Sequence, residues 1–319
     1  MSEKGDTMVW ILMSTACFAA IFLWGARFCY KLVFYNSNDA PQDVYEIPPG
    51  KQYEAVAEVM RQYIHDLEQL PFEQLCITAR DGVHLAARYY HFKDGAPVQI
   101  LFHGYRGSSV REYSCGNQMA AQLGYNSLVV DERAHGKSGD HTISFGIRER
   151  YDCVDWAKYA RNRFGAQTPI ILSGVSMGAA TVLMASELDL PENVVAITAD
   201  CPYSSPGAII RKVCRDGRMP AFLIYPFVAL GALLFGKFRI WESSPVKAVR
   251  NTQIPILLIH GADDRFVPCA MSRRIYDACS GPKQLEVFPD AGHGLSYLIN
   301  TPRYRLIVRS FLQKCGITL

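Results

Sequence analysis

The chain has 319 residues, enough for one large domain with additions. Its formal net charge of +3 gives no basis for nucleic-acid binding, and its 49% hydrophobic content supplies a sizeable core with apolar sequence to spare. The ten cysteines form no C-x-x-C pair, and the chain has no H-E-x-x-H, G-x-G-x-x-G or phosphate-binding loop; no metal and no cofactor is expected.

Residues 8–24, MVWILMSTACFAAIFLW, carry no charge, and Arg27 is the first one met on reading on to Tyr30. A helix over 8–30 is about 34 Å long at about 1.5 Å per residue, enough to cross a bilayer. Arg27 can snorkel at one end, and Trp10, Trp24 and Tyr30 suit the interfaces. A cleaved signal peptide is the rival. The weakly charged start Ser2-Glu3-Lys4-Gly5-Asp6, the long apolar run and the missing A-x-A site favour an uncleaved anchor. A buried core helix fits less well, because aromatics lie on all faces. Arg27 and Lys31 after the span, against Lys4 before it, place the following domain on the cytoplasmic side. Cysteines in predicted core elements agree with a reducing compartment.

A polar, proline-bearing linker follows at 36–50. Tyr53, Val56, Met60, Ile64 and Leu67 then recur at spacings of three and four, which predicts an amphipathic helix over 51–70. Arg80-Asp81-Gly82 between 72–78 and 84–92 predicts a hairpin. Short apolar strands at 98–102, 127–130, 170–173, 194–199, 256–259 and 284–288 alternate with helices at 113–123, 147–163 and 177–188. That alternation predicts an α/β fold with a mainly parallel sheet covered on both faces.

Residues 203–250 break the alternation. Their stretch 219–235 is almost wholly apolar, interrupted by prolines and glycines. A second transmembrane span there would sever the sheet. A cap over an apolar acyl pocket, able to dip into a membrane surface, is expected instead.

Gly174-Val175-Ser176-Met177-Gly178 lies between a strand and a helix, with a serine at the apex of the turn. Such a turn exposes and fixes the hydroxyl, and the flanking glycines permit the close backbone approach. The strand at 256–259 runs into His260-Gly261-Ala262-Asp263-Asp264-Arg265-Phe266-Val267-Pro268, which offers two acids past a buried strand end. Pro289-Asp290-Ala291-Gly292-His293-Gly294 follows the last strand and holds the only histidine after those acids.

With His103-Gly104-Tyr105-Arg106-Gly107 and Asp131-Glu132-Arg133-Ala134-His135-Gly136, these landmarks make the chain resemble the α/β-hydrolase superfamily, near its lipase, esterase and serine aminopeptidase-like branch. The likeness runs from about residue 73 to the C-terminus, cap excepted. Taken with the hydropathy and spacing above, the expected organisation is an anchor over 1–35, a linker and amphipathic helix over 36–72, and a catalytic domain over 73–319 with its cap at about 203–250. The family spacing His-Gly-x-x-Asp-x-x-Val-Pro selects Asp264 over Asp263. Ser176 is then the nucleophile, His293 the general base and Asp264 its partner. The backbone N–H groups of Tyr105 and Met177 form the oxyanion hole. The implied substrate is a small-molecule or lipid-like carboxylic ester. A serine aminopeptidase or amidase would use the same triad, and Asp200 is the one hint of a carboxylate for a substrate ammonium. Acyl transfer to another alcohol and a non-catalytic binding protein are further alternatives. His103, His135 and Arg133 read as loop braces, and His260, Asp131 and Asp200 as structural groups.

Overall fold

The computed structural model describes residues 3–37 and 43–317. The middle of the expected linker, 38–42, and the chain's first two residues lie outside the described residues.

A long helix, α1 (Glu3–Val33), opens the chain, and α2 (Lys51–Glu54) and α3 (Ala57–Glu68) follow. The expected 51–70 helix is therefore broken at Ala55–Val56. Strands β1 (Glu73–Thr78), β2 (His84–Tyr90) and β3 (Val98–Phe102) lead to α4 (Ser109–Leu123), β4 (Asn126–Asp131), α5 (Glu149–Phe164) and β5 (Ile170–Val175). Then come α6 (Met177–Ala185), β6 (Val194–Asp200), α7 (Pro206–Asp216), α8 (Ala221–Leu234) and α9 (Pro245–Ala248). The chain closes with β7 (Ile256–Gly261), α10 (Ala270–Ala278), β8 (Lys283–Phe288), α11 (Ser296–Ile299) and α12 (Thr301–Lys314).

The eight strands form one sheet in the order β1-β2-β4-β3-β5-β6-β7-β8. Only β2 runs against its neighbours; β3 to β8 pair in parallel. Every residue of β3 and of β7 is buried, as a strand covered on both faces requires. One side of the sheet packs on Trp156, Ala157 and Ala160 of α5, the other on Val308, Phe311 and Leu312 of α12. The reversal of strand order at β3 and β5 puts their carboxyl ends beside a crevice, where open α/β sheets place ligands.

The amphipathic face of α3 buries Ile64 and Leu67 against Tyr90, Leu101, Val110 and Tyr113. Among the described residues, one helix is long and apolar enough to cross a membrane. Its apolar part, Leu12–Val33, is 22 residues long and mostly exposed, with Phe18, Ile21, Leu23, Trp24 and Phe28 facing outward.

The 203–250 insertion folds as α7, α8 and α9, but it does not roof the pocket. Instead α8 lies along α1. The ring of Phe227 fits over Gly25, 4.9 Å from the ring of Phe22, and Gly231 lets the backbone approach Ala26 and Tyr30. A Cβ at Gly231 would stand 2.5 Å from the Ala26 carbonyl oxygen, so only glycine permits this approach. Apolar sequence between strands thus covers the root of the N-terminal helix rather than an acyl chain.

Candidate active site

Strand β5 delivers Ser176 into a tight turn before α6. Its φ of 54° is left-handed, a strained conformation for a residue with a side chain. Three contacts hold it. Ser176 N–H donates to Asp200 O at 2.8 Å, Gly174 abuts the backbone of Gly178 and Ala179, and Gly178 abuts Phe102 O. A side chain at either glycine would collide with main chain.

Asp264 and His293 come to this turn from 88 and 117 residues further along the chain. Ser176 Oγ lies 2.9 Å from His293 Nε2, and His293 Nδ1 lies 2.7 Å from Asp264 Oδ2. The other carboxylate oxygen of Asp264 accepts from the Phe266 and Val267 N–H groups at 2.9 and 2.8 Å. His260, fully buried, stands 3.3 Å from Asp264 Oδ2 while bonding Val267 O and Ser272 Oγ, both at 2.7 Å. Burial alone would raise the Asp264 carboxyl. The hydrogen bonds from His260 and His293, the His293 charge and the Val267 N–H outweigh it, and hold the group well below the ordinary carboxylate range. Asp263 is exposed and points its backbone N–H at Ala291 O. Geometry thus joins Ser176, His293 and Asp264 in one hydrogen-bonded chain and leaves Asp263 outside it.

Two backbone donors flank the serine. Met177 is the first residue of α6, so its N–H has no acceptor within the helix. Tyr105 sits in the turn closed by Gly107 N–H to Gly104 O at 3.0 Å. A Cβ on Gly104 would stand 3.4 Å from Ser176 Cβ, which puts this loop directly against the serine. Two of the three expected braces, His103 and His135, act on these loops directly. His103 Nε2 accepts from Glu132 N–H at 3.0 Å, and His135 Nε2 accepts from Arg106 N–H at 3.0 Å. Burial, reinforced by His103, pushes the His135 pKa well below its ordinary value, so the ring stays neutral and its Nε2 stays an acceptor. Arg133 is buried on Asp152 and Asp81, away from the serine. Asp131 accepts from Lys137 N–H at 3.0 Å and from Ser109 Oγ.

A cavity of about 570 Å³ opens at Ser176 and His293, within the size of small-ligand sites. The sequence reading missed its wall. Ile47, Pro48, Tyr53 and Met60, from the linker and helices α2 and α3, face Phe266 and Leu298 across it, and the 203–250 insertion supplies none of its lining. Tyr53 O–H donates to His293 O at 3.0 Å, tying this strap to the histidine loop. Two carboxylate residues line the cavity, Glu46 and Glu112; Glu112 accepts from Gly104 N–H, and Arg111 donates to the Glu46 backbone oxygen at 3.0 Å. The apolar run 219–235 suggests an acyl-pocket cap, but it lies outside the cavity lining. The spacing of Tyr53 and Met60 showed a helix but not what the helix covers.

Asp200 does not line the cavity. It is buried beneath the site, its carboxyl pushed up to about 6 by burial, partly offset by His260 and a hydrogen bond from Tyr304. It is therefore no counter-ion for a substrate ammonium. Cys201 Sγ, an Asp264 oxygen and a His293 nitrogen lie within 4.8 Å of one another. Burial, with Asp200 and Asp264 nearby, raises the Cys201 thiol well above its ordinary pKa, and the acid and imidazole already spend their facing atoms on each other. The trio is a poor metal ligand set.

Comparison with known proteins agrees with this architecture. The sequence model described as "alpha/beta hydrolase fold" matches residues 97–220. YqkD, an uncharacterized protein of Bacillus subtilis, is 31% identical over 191 residues, which are 60% of this chain and 63% of that protein. The chain thus spans less than two thirds of that relative's length. An uncharacterized membrane protein of Saccharomyces cerevisiae is 24% identical over 79% of this chain and 83% of its own. Among solved structures, the Pyrococcus furiosus esterase Pf2001 superposes with a TM-score of 0.63 at 24% identity, covering 78% of this chain and 93% of the esterase. Sheet order, serine turn and sequence match together identify the chain as an α/β-hydrolase-fold protein.

Proposed function

We propose that the chain is a membrane-anchored serine hydrolase of carboxylic esters with apolar acyl groups. The observation that carries this reading is the hydrogen-bonded chain Ser176–His293–Asp264 at the mouth of an apolar-walled cavity. His293 Nε2 takes the proton of Ser176 Oγ as that oxygen attacks the ester carbonyl. Asp264 holds the imidazole with Nδ1–H toward itself, which keeps Nε2 free to accept, and it stabilises the imidazolium that forms. The developing oxyanion receives the Tyr105 and Met177 N–H groups. His293 returns the proton to the departing alcohol, leaving Ser176 acylated. Water, deprotonated by the same imidazole, then releases the acid and restores the serine.

The substrate class follows from the cavity wall. Ile47, Pro48, Met60, Phe266 and Leu298 suit an apolar chain, and Glu112, the carboxylate nearer the serine loop, already accepts the Gly104 N–H. The N-terminal helix supports membrane attachment through its exposed apolar surface. Arg27 and Lys31 at its domain end, and ten cysteines free of disulfides, support a cytoplasmic catalytic domain.

The test is labelling of the full-length protein, in detergent, by a fluorophosphonate probe. The wild type reacts and Ser176→Ala does not, while both melt at similar temperatures. Equal labelling and equal ester turnover in Ser176→Ala would reject the serine assignment. A folded wild type that neither reacts nor hydrolyses esters would favour a binding protein on this fold.

A further inference from the structure

The last four carbonyls of an α-helix have no donor within it. At the C-terminal end of α1, Tyr30 O receives the Phe34 and Tyr35 N–H groups at 2.9 and 3.0 Å. The next donors come from far away in sequence, from the two consecutive residues of the loop beside Ser176. Tyr105 O–H donates to Val33 O at 2.8 Å. Arg106 Nη2 donates to Leu32 O at 3.1 Å and to Tyr35 O at 2.9 Å. A cation at this end also complements the helix dipole.

We propose that the C-terminal turn of α1 is a positioning element of the active site: through Tyr105 and Arg106, the helix that leads to the membrane holds the oxyanion loop in place. Two further observations agree. Arg106 has φ of 52°, a left-handed conformation that a residue with a side chain keeps only where its surroundings enforce it. Its backbone N–H is held by His135 and its guanidinium by α1, so both ends of the strained residue are fixed. In addition, the receiving end of α1 is itself rigid. Phe34 is fully buried, 5.8 Å from Phe145 and 5.2 Å from Phe238 in edge contacts, and Phe145 stacks 5.0 Å from Tyr105. Asn36 Nδ2 donates to Ala134 O at 2.7 Å, and Ile143 N–H donates to Phe34 O at 2.8 Å. The helix end is therefore built into the domain, and the loop that follows β3 is fastened to it. An oxyanion donor works only when pre-set to the oxyanion's position, so slack in this loop lowers turnover without weakening ground-state binding. Tyr105 and Arg106 both line the cavity, but the role assigned to their side chains is positioning, exerted through the Tyr105 backbone N–H; a direct contact with substrate would show instead as a rise in KM.

The inference rests on the ester-hydrolase reading above, and its test is separable from that reading. Full-length Tyr105→Phe, Arg106→Gln and the double variant are compared with wild type in detergent on a short soluble ester. Turnover is expressed per site titrated to completion with fluorophosphonate, alongside melting temperature. The double variant is expected to lose about 10- to 100-fold in kcat, approaching the loss of a whole oxyanion donor, with KM within about two-fold. Arg106→Lys, which supplies a cation without the fork, is expected to fall between. If the double variant does not fold, Tyr105→Phe carries the test, because it deletes one oxygen and keeps the ring on Phe145; about a three-fold or greater loss of kcat is expected. A lowered melting temperature with kcat per titrated site within two-fold of wild type would overturn the proposal and leave these contacts as helix caps only. Failure of the hydrolase reading would show differently, as turnover surviving Ser176→Ala.

Discussion

Asp264→Asn tests the proposed proton relay most sharply. The carboxylate spends one oxygen on the Phe266 and Val267 N–H groups and the other on His293 Nδ1 at 2.7 Å, with His260 Nε2 3.3 Å from that same oxygen. Asparagine is nearly the same size, and its carbonyl oxygen can keep the two backbone bonds. Its NH₂ then faces His293 Nδ1, where only an acceptor is tolerated. The imidazole answers by moving its proton to Nε2, which turns that nitrogen from an acceptor into a donor 2.9 Å from Ser176 Oγ. The serine loses its base while the fold stays intact. In a serine–histidine–aspartate site an exchange of this kind lowers turnover by about 10⁴-fold. At about 1.4 kcal/mol per decade that is roughly 5 kcal/mol of barrier. The assay is release of p-nitrophenol from a short-chain ester by the detergent-solubilised full chain. Asp263→Asn serves as the control, because Asp263 is exposed, and it should stay within two-fold of wild type. Activity of Asp264→Asn within ten-fold of wild type would refute the tautomer argument and send the search for the acid elsewhere.

Gly178→Ala places a methyl group on the Phe102 carbonyl oxygen, and neither main-chain segment can yield; a loss of at least about 3 kcal/mol in unfolding free energy is expected, read as a lowered melting temperature. Met60→Trp fills part of the cavity wall and should move the best ester toward shorter acyl chains, measured as kcat/KM across a chain-length series; an unchanged series would remove α3 from the pocket. The depressed Asp264 carboxyl contributes stability that is fully present above the unfolded value of about 3.9 and is lost as pH falls through the folded value. The melting-temperature gap between wild type and Asp264→Asn should therefore shrink as pH drops below about 4, and a gap constant with pH would contradict the assigned shift.

The expected strands at 98–102, 170–173 and 256–259 fall within β3, β5 and β7, because a strand buried on both faces announces itself as a short unbroken apolar run. Ser176, Asp264 and His293 each sit in a loop at a strand end, a placement the strand pattern already states, and the sheet's topology brings those ends to one edge. Asp200 is the structural group its sequence context suggests, and the alternative role as an ammonium partner does not hold. It shares that edge, yet its side chain turns into the protein, and sequence does not encode that rotation.

What the chain's sequence determined by itself is what depends on neighbours in the chain: the strand–turn–helix around Ser176, the apolar α1, and the alternation that makes a parallel sheet. What the tertiary structure alone decided is which distant surfaces meet. Segment 46–63, and not the apolar insertion, walls the cavity, because α3 buries Ile64 and Leu67 on α4 while α8 finds its apolar partner in α1. The capping of α1 by Tyr105 and Arg106 joins residues about 70 positions apart. Apolar periodicity states that a face will be covered; shape and hydrogen-bond complementarity, realised only in the folded chain, choose what covers it.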